Sequence, residues 1–428
     1  MNIFMAKQFG KIRQLHTIIS QETIKPSSPT PLHLKTHNLS LLDHFSAKFH
    51  MPKVFFYKDY KNDYTNMLKR SLSKCLTQYY PFAGRFQTPS ASCVVCNDQG
   101  IEFIEASNDS RIDEFILNRN QDETLDQIIP EEKVGLNSLL KVQVNYFGDG
   151  GVALAVSISH RIADGFTAAS FINYWASVAR GDQPAINPTF ISSSTNTNNM
   201  VKVPEVINQG TVKDNYVARR FIFSNAKLKE LKEMVNNMAG ETPLNPSRVE
   251  LLTSFLFKCV TRAANASSCD FKPLNLLHCV NMRNKIIKQC PERATGNVMT
   301  LVAAKIADSS EITLNEVIVE LRKEKMKLEG LKSEQEVGQS LSNMMTTLAA
   351  EGNRSFVTSS LCRFPFYDID FGFGKPVKVL TRYPDVNDNG ALFLDTPEGD
   401  GIEALVHLQK DEMPIFEKDE ELLAYVEG

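Results

Sequence analysis

The stretch Val152-Ala-Leu-Ala-Val-Ser-Ile-Ser159-His160-Arg-Ile-Ala-Asp164-Gly165 decides how this chain is read. Its first eight residues form a short apolar run, the length of a buried strand. Behind it, Gly165 to Val178 places Ala168, Phe171 and Trp175, with Ala169, Ile172 and Ala176, on adjoining helical stripes. Asp164 then stands at the helix N-cap. His160 therefore ends a strand just before a helix. A rigid strand end open to a cavity is a good seat for a general base. The four-residue spacing does not by itself turn Asp164 toward His160, because a cap explains the aspartate equally well.

Working outward, Leu140–Tyr146 and Val152–Ser159 are apolar runs joined by Gly148-Asp149-Gly150-Gly151, a hairpin signature. Tyr64–Tyr79 has helical spacing, ended by Pro81 and a turn at Ala83-Gly84-Arg85. Val94–Cys96 and Ile101–Ile104 read as strands. In the second half, Arg248–Ala264 and Leu314–Leu328 read as helices. Leu276–Met282, Met299–Ile306 and Ile402–Leu408 read as strands, and Asp411–Val426 as an amphipathic helix. The fold class is mixed α/β with antiparallel hairpins rather than a regular βαβ alternation. No internal repeat is evident. The Ser/Thr/Asn-rich stretch after Ile191 is the clearest linker. The expected domains are 1–190 and 214–428, with a crossover linker at 191–213.

The composition excludes several classes. With 428 residues there is room for two or three domains, and 42% hydrophobic residues can fill their cores. Lys plus Arg is 47 and Asp plus Glu is 50, a net charge of −3, which leaves no electrostatic footprint for nucleic acid. No apolar run reaches the ~20 residues of a membrane span. The eight cysteines are scattered and do not form a disulfide framework. Cys93 and Cys96 make a CxxC inside a strand-like run with no second pair nearby, so buried thiols are expected there rather than zinc. The N-terminus has basic residues but no secretory pattern, which makes the cytosol the expected compartment.

A second feature is Asp368-Ile-Asp370-Phe371-Gly372-Phe373-Gly374-Lys375-Pro376. Glycines flanking aromatics suggest a tight turn with rings packed inward. It is not a dinucleotide loop, because a third glycine and a following helix are missing. The two aspartates lack any supporting metal-ligand constellation, and no metal is expected. There is no GxSxG nucleophile elbow and no GxxxxGK[ST] phosphate loop.

Together, His160-x-x-x-Asp164-Gly165 and the later DFGFGKP resemble the plant BAHD acyltransferase family. Tyr80-Pro-Phe-Ala-Gly-Arg85, Val280-Asn-Met-Arg283, Gly296-Asn297 and Gly399-Asp-Gly-Ile-Glu403 match other family segments in order, so the resemblance spans essentially the whole chain. The one departure is Phe373, where the family usually has tryptophan; an aromatic ring is kept, so a packing change is expected and not lost activity. Pro26 to Pro31, Leu39–Asp43 and Cys96–Gly100 look most like the alkaloid O-acetyltransferases of that family.

The resemblance implies two similar chloramphenicol-acetyltransferase-like domains with a channel between them. It implies acetyl-CoA as co-substrate, no tightly bound cofactor, a small-molecule alcohol acceptor and a monomer. His160 is the expected general base. Asp164 is expected to pair with Arg283 and hold the loop that carries His160. Asn297 is a candidate oxyanion donor, and Ser254 and Lys258 are candidate CoA contacts. Asp370, Gly372, Phe373 and Gly374 are expected to be structural. N-acylation of an amine, a larger donor such as malonyl-CoA, or a degenerate binding protein are the alternatives.

Overall fold

The computed structural model describes residues 16–427 except 62, 89, 118–120, 131–137, 185, 193–200, 202–214, 241, 268–273, 289–290, 307–311 and 385. The N-terminal charge pattern, most of the expected linker at 191–213, Cys269 and Cys290 lie outside the described residues.

Two six-stranded sheets organise the chain. The strands of the first, in chain order, are β1 (His16–Ile24), β2 (His50–Tyr57), β3 (Ile101–Asn108), β4 (Leu140–Phe147) and β5 (Val152–Ser159). The second contains β6 (Tyr216–Ser224), β7 (Leu274–Asn281), β8 (Met299–Ala304), β9 (Arg354–Ser360), β11 (Asn389–Asp395) and β12 (Gly401–Gln409). Between them in sequence comes β10 (Lys378–Thr381), which crosses over and pairs with β2 in the first sheet. The spatial orders are β1-β3-β4-β5-β2-β10 and β6-β12-β11-β9-β7-β8. The sheets mix parallel and antiparallel pairs, as the absence of βαβ alternation predicted.

Strand β5 is buried along its whole length because both faces are covered. Leu154, Val156 and Ile158 join the large first core, while Ala153 and Ala155 face a smaller one around Phe56, Phe115 and Phe147. Two helices cover the large face: α2 (Asp63–Gln78) and α3 (Gly165–Arg180). They meet where the Trp175 indole N–H donates to Ser71 Oγ at 3.0 Å. Asp164 caps α3 and Gly181, in the left-handed region at φ 83°, ends it. The second core packs under α4 (Arg248–Ser267) and α5 (Leu314–Lys327). Helix α6 (Glu334–Glu351) covers the short α1 (Leu41–His44) from the first half, through Leu341 against Leu41 and Phe45.

The DFGFG turn anchors the crossover into β10. The Asp370 carboxylate accepts from the backbone N–H of Gly372 at 2.7 Å and of Gly374 at 3.0 Å. Gly372 at φ 105° and Gly374 at φ 94° adopt backbone that other residues rarely tolerate. The turn drives Phe371 against Trp175, at 4.8 Å between ring centroids, and Phe373 against Tyr57, also at 4.8 Å.

Most elements appear where periodicity placed them. The C-terminal run Asp411–Val426 is a correction: it forms two short helices, Met413–Phe416 and Glu420–Leu423, instead of one. Asp419 turns the chain out of helix and caps the second piece through Leu422 N–H. The described cysteines are free thiols. No helix among the described residues is long and apolar enough to cross a membrane.

Candidate active site

Strand β5 delivers His160 to the seam between the two sheets. Its backbone N–H donates to Phe49 O at 2.9 Å, and the Phe49 ring stands edge-on to the imidazole at 5.3 Å. The ring Nδ1 lies 3.0 Å from Asn297 Oδ1. Asn297 Nδ2 donates both its hydrogens, to Asp43 Oδ1 at 2.8 Å and to His160 O at 2.7 Å. Because both of those partners are acceptors, the oxygen of the amide must face the imidazole. Nδ1 therefore carries the proton, and Nε2 keeps its lone pair. Among the described residues, nothing hydrogen-bonds Nε2. Burial lowers the His160 pKa against a hydrogen bond to its own backbone, the Asp164 charge and the Asn297 bond, and the Lys53 ammonium adds a smaller downward push. The imidazole is thus a neutral base at physiological pH.

Asn297 is placed differently from the expectation. Its side-chain hydrogens are both engaged, and its backbone N–H donates to Asp43 Oδ1 at 2.9 Å. No donor remains for an oxyanion, so Asn297 is a positioning residue for His160. The missing partner in the sequence reading is Asp43. It sits in α1 in a capping box with Ser40, whose backbone N–H it accepts at 2.9 Å. The Ser40-x-x-Asp43 pattern is the one signal that marked it. Burial raises the Asp43 pKa to about 6 against the bonds from Asn297 and Ser40 that lower it.

Asp164 points away from the imidazole. Arg283 grips it in a two-pronged bond, Nη1 to Oδ2 at 2.7 Å and Nη2 to Oδ1 at 3.0 Å. The carboxylate also accepts from Thr167 N–H at 2.9 Å and Val298 N–H at 3.1 Å. Burial raises its pKa, but the Arg283 charge and these bonds more than offset it, so the net shift is downward. The Arg283 guanidinium also stacks over Phe166 at 4.3 Å and donates through Nε to Ala294 O. Thr167 Oγ1 donates to Gly296 O and accepts from Gly296 N–H. The loop 294–298 is thereby pinned to the start of α3, which fixes Asn297 beside His160.

The remaining sequence candidates are not brought to this seam. Ser254 is fully buried and its hydroxyl donates to Glu250 O at 2.8 Å within α4. Lys258 pairs with Glu421 at 2.9 Å. Ser254 therefore offers no donor to a ligand, and Lys258 is already neutralised. Asp370, Gly372, Phe373 and Gly374 serve the turn described above. Asp368 is paired with Lys375 at 2.8 Å, so neither aspartate of that turn is a spare ligand.

A neutral histidine with its orientation locked and one ring nitrogen free is suited to take a proton from an attacking hydroxyl or amine. The family model described as "Transferase family" matches residues 16–423. The chain belongs to this family, the BAHD acyltransferases. It is a BAHD acyltransferase of plant specialised metabolism. It is 37% identical over 435 residues to epi-neemfruitin B synthase of Melia azedarach, covering 95% of this chain and 97% of that protein. It is 34% identical over 418 residues to stemmadenine O-acetyltransferase of Catharanthus roseus, covering 94% and 96%. The crystal structure of vinorine synthase superimposes with a TM-score of 0.79 at 31% identity, covering 96% of this chain and 99% of that one. The BAHD fold of two chloramphenicol-acetyltransferase-like domains agrees with the two sheets, each with its own core.

Proposed function

We propose that this BAHD enzyme transfers an acetyl group from acetyl-CoA to a hydroxyl of a plant alkaloid. The observation that carries the proposal is the His160 imidazole, held by Asn297 with Nε2 unprotonated and, among the described residues, without a hydrogen-bond partner. Nε2 takes the hydroxyl proton as the oxygen attacks the thioester carbonyl. A C–O bond forms, the tetrahedral intermediate collapses, and the C–S bond breaks. His160 then returns the proton to the leaving CoA thiolate. No covalent enzyme intermediate is needed. Asp43, through Asn297, favours the imidazolium that forms transiently. Asp164 and Arg283 hold the loop and take no part in proton transfer.

The likeness to stemmadenine O-acetyltransferase and the N-terminal segments of the sequence support the choice of an alkaloid hydroxyl and an acetyl donor. The two substrates are proposed to meet at His160 from opposite ends of a channel between domains 1–190 and 214–428. A monomer in the cytosol is the proposed setting. Free-thiol release from acetyl-CoA, with product mass spectrometry over a panel of alkaloid alcohols, tests the reading. Acceptor-dependent release that disappears in His160→Ala is expected. Thiol release with no acceptor dependence, or no change in His160→Ala, overturns it.

A further inference from the structure

Among the described residues, Lys53 is a buried cation with no counter-charge. It lies on β2, where it pairs with Val156 of β5 on one side and Thr381 of β10 on the other. It is 3% exposed. Its Nζ donates to Thr381 Oγ1 at 3.1 Å and Pro52 O at 3.3 Å. Both acceptors are neutral. The Thr381 hydroxyl proton goes to Pro52 O at 2.7 Å, which leaves a lone pair for the lysine. An ammonium has three donors, and among the described residues two are engaged. Among the described residues no carboxylate contacts it. Glu403 on β12 is shared by Arg220 and by Lys378 of β10. Arg220 also donates to Thr381 O at 2.6 Å, so positive charge accumulates around β10.

Burying an ammonium beside neutral dipoles alone is unfavourable. Burial lowers the Lys53 pKa to about 8, which still leaves the group mostly charged at neutral pH. Its field reaches the catalytic histidine and lowers that pKa in turn. Register places Lys53 opposite Val156 of β5, and His160 follows the end of that strand, four residues or roughly 14 Å beyond Val156. A negative group beside Lys53 would supply the charge that its neutral acceptors, Thr381 Oγ1 and Pro52 O, do not.

We propose that Lys53 recognises a carboxylate on one of the two substrates, either at the far end of the acyl group or on the acceptor. The inference rests on the acyltransfer assigned to His160 and not on the acetyl group, which has no carboxylate: on the donor side it replaces acetyl by a dicarboxylic acyl group, and on the acceptor side it leaves acetyl in place. An anion there pairs with Lys53 and also offsets its repulsion of the imidazolium that forms during transfer.

Titration calorimetry in a His160→Ala background, which blocks turnover, separates the two sources. The donor arm compares malonyl-CoA with acetyl-CoA. The acceptor arm compares 3-phenyllactate with its methyl ester in the presence of CoA. In at least one arm the acid is expected to bind about tenfold or more tightly than its neutral counterpart, and Lys53→Met is expected to erase that preference while changing the neutral ligand less than about twofold. The arm that responds names the substrate. Less than threefold preference in both arms overturns the proposal without any need for the variant. So does a preference that survives in a folded Lys53→Met protein. Thiol release by the unmutated protein is scored separately. Its absence with every CoA thioester removes the acyltransfer reading, whereas the binding preference is read from the titrations alone.

Discussion

Asn297 clamps His160 at two points, accepting from Nδ1 at 3.0 Å and donating to the backbone carbonyl at 2.7 Å, while Asp43 accepts the amide's other hydrogen. The amide cannot flip without facing two acceptors with its oxygen. Asn297→Ala removes the acceptor that holds Nδ1–H and the bond that raises the His160 pKa. Activity is expected to fall about 10–100-fold, the range seen for partners that orient a functional histidine. The acid limb of the kcat/KM profile is expected to move to lower pH. A loss of activity with an unmoved limb would show that Asn297 only supports the loop.

The wild-type pH profile follows from the same geometry. Burial places the His160 pKa below its ordinary 6.5. The base is active when unprotonated, so kcat/KM is expected to rise with unit slope and level off with its inflection below 6.5. Stopped assays with a saturating second substrate across pH 4.5–8 measure this directly. An inflection above 6.5 contradicts the burial argument.

Asp43 predicts an opposite pH effect on stability. Its pKa is raised by burial from 3.8 to about 6, so the folded state holds the proton more tightly than the unfolded chain. The stabilisation is full below about 4 and is lost as pH rises through about 6. The shift of roughly two units corresponds to about 3 kcal/mol. Denaturant melts of wild type and Asp43→Asn are expected to show the wild-type advantage shrinking between pH 4 and 6. A constant difference across that window is the contrary result. The ionised form that costs stability is also the one that best polarises Asn297.

How far this site was legible varies with the physics of each residue. His160 and the cap role of Asp164 follow from a strand period running into a helical one. The Asp43–Asn297 bond joins residues 254 apart through two short polar side chains. No periodicity marks such a link, so the sequence located Asn297 but not the bonds that engage its donors. Strand β1 was missed because its residues are mostly exposed at a sheet edge and show no clean alternation. The C-terminal run was misread as continuous because helical spacing survives across the Asp419 break.

The Asp164–Arg283 pair is 4% and 2% exposed. Removing one partner leaves a buried charge and costs about 3–5 kcal/mol. Asp164→Ala is expected to lower the melting point at least as clearly as it lowers turnover. The Asp164 pKa is depressed in the folded state, so its contribution is present above about 4 and fades as pH falls through the lower folded value. Wild type is therefore expected to lose its advantage over Asp164→Ala on strong acidification. A variant with an unchanged melt but no activity would place Asp164 in the chemistry instead.

Phe373 tests whether the crossover turn is structural. Its ring meets Tyr57, Tyr60 and Tyr64 at 4.8, 5.1 and 5.0 Å. Phe373→Ala is expected to cost about 3–5 kcal/mol, since the site is buried and the surrounding rings cannot collapse onto it. Phe373→Trp places the tryptophan of the usual family motif at this buried position, keeping an aromatic ring against the three tyrosines. It is expected to change stability by less than about 1.5 kcal/mol. Both variants, assayed per folded molecule well below their melting points, are expected to keep kcat within about threefold of wild type. The turn reaches His160 only by docking β10 onto β2, and that docking survives as long as the fold does. A selective loss of kcat in folded Phe373→Ala would mean that the turn sets the active-site geometry as well as the stability.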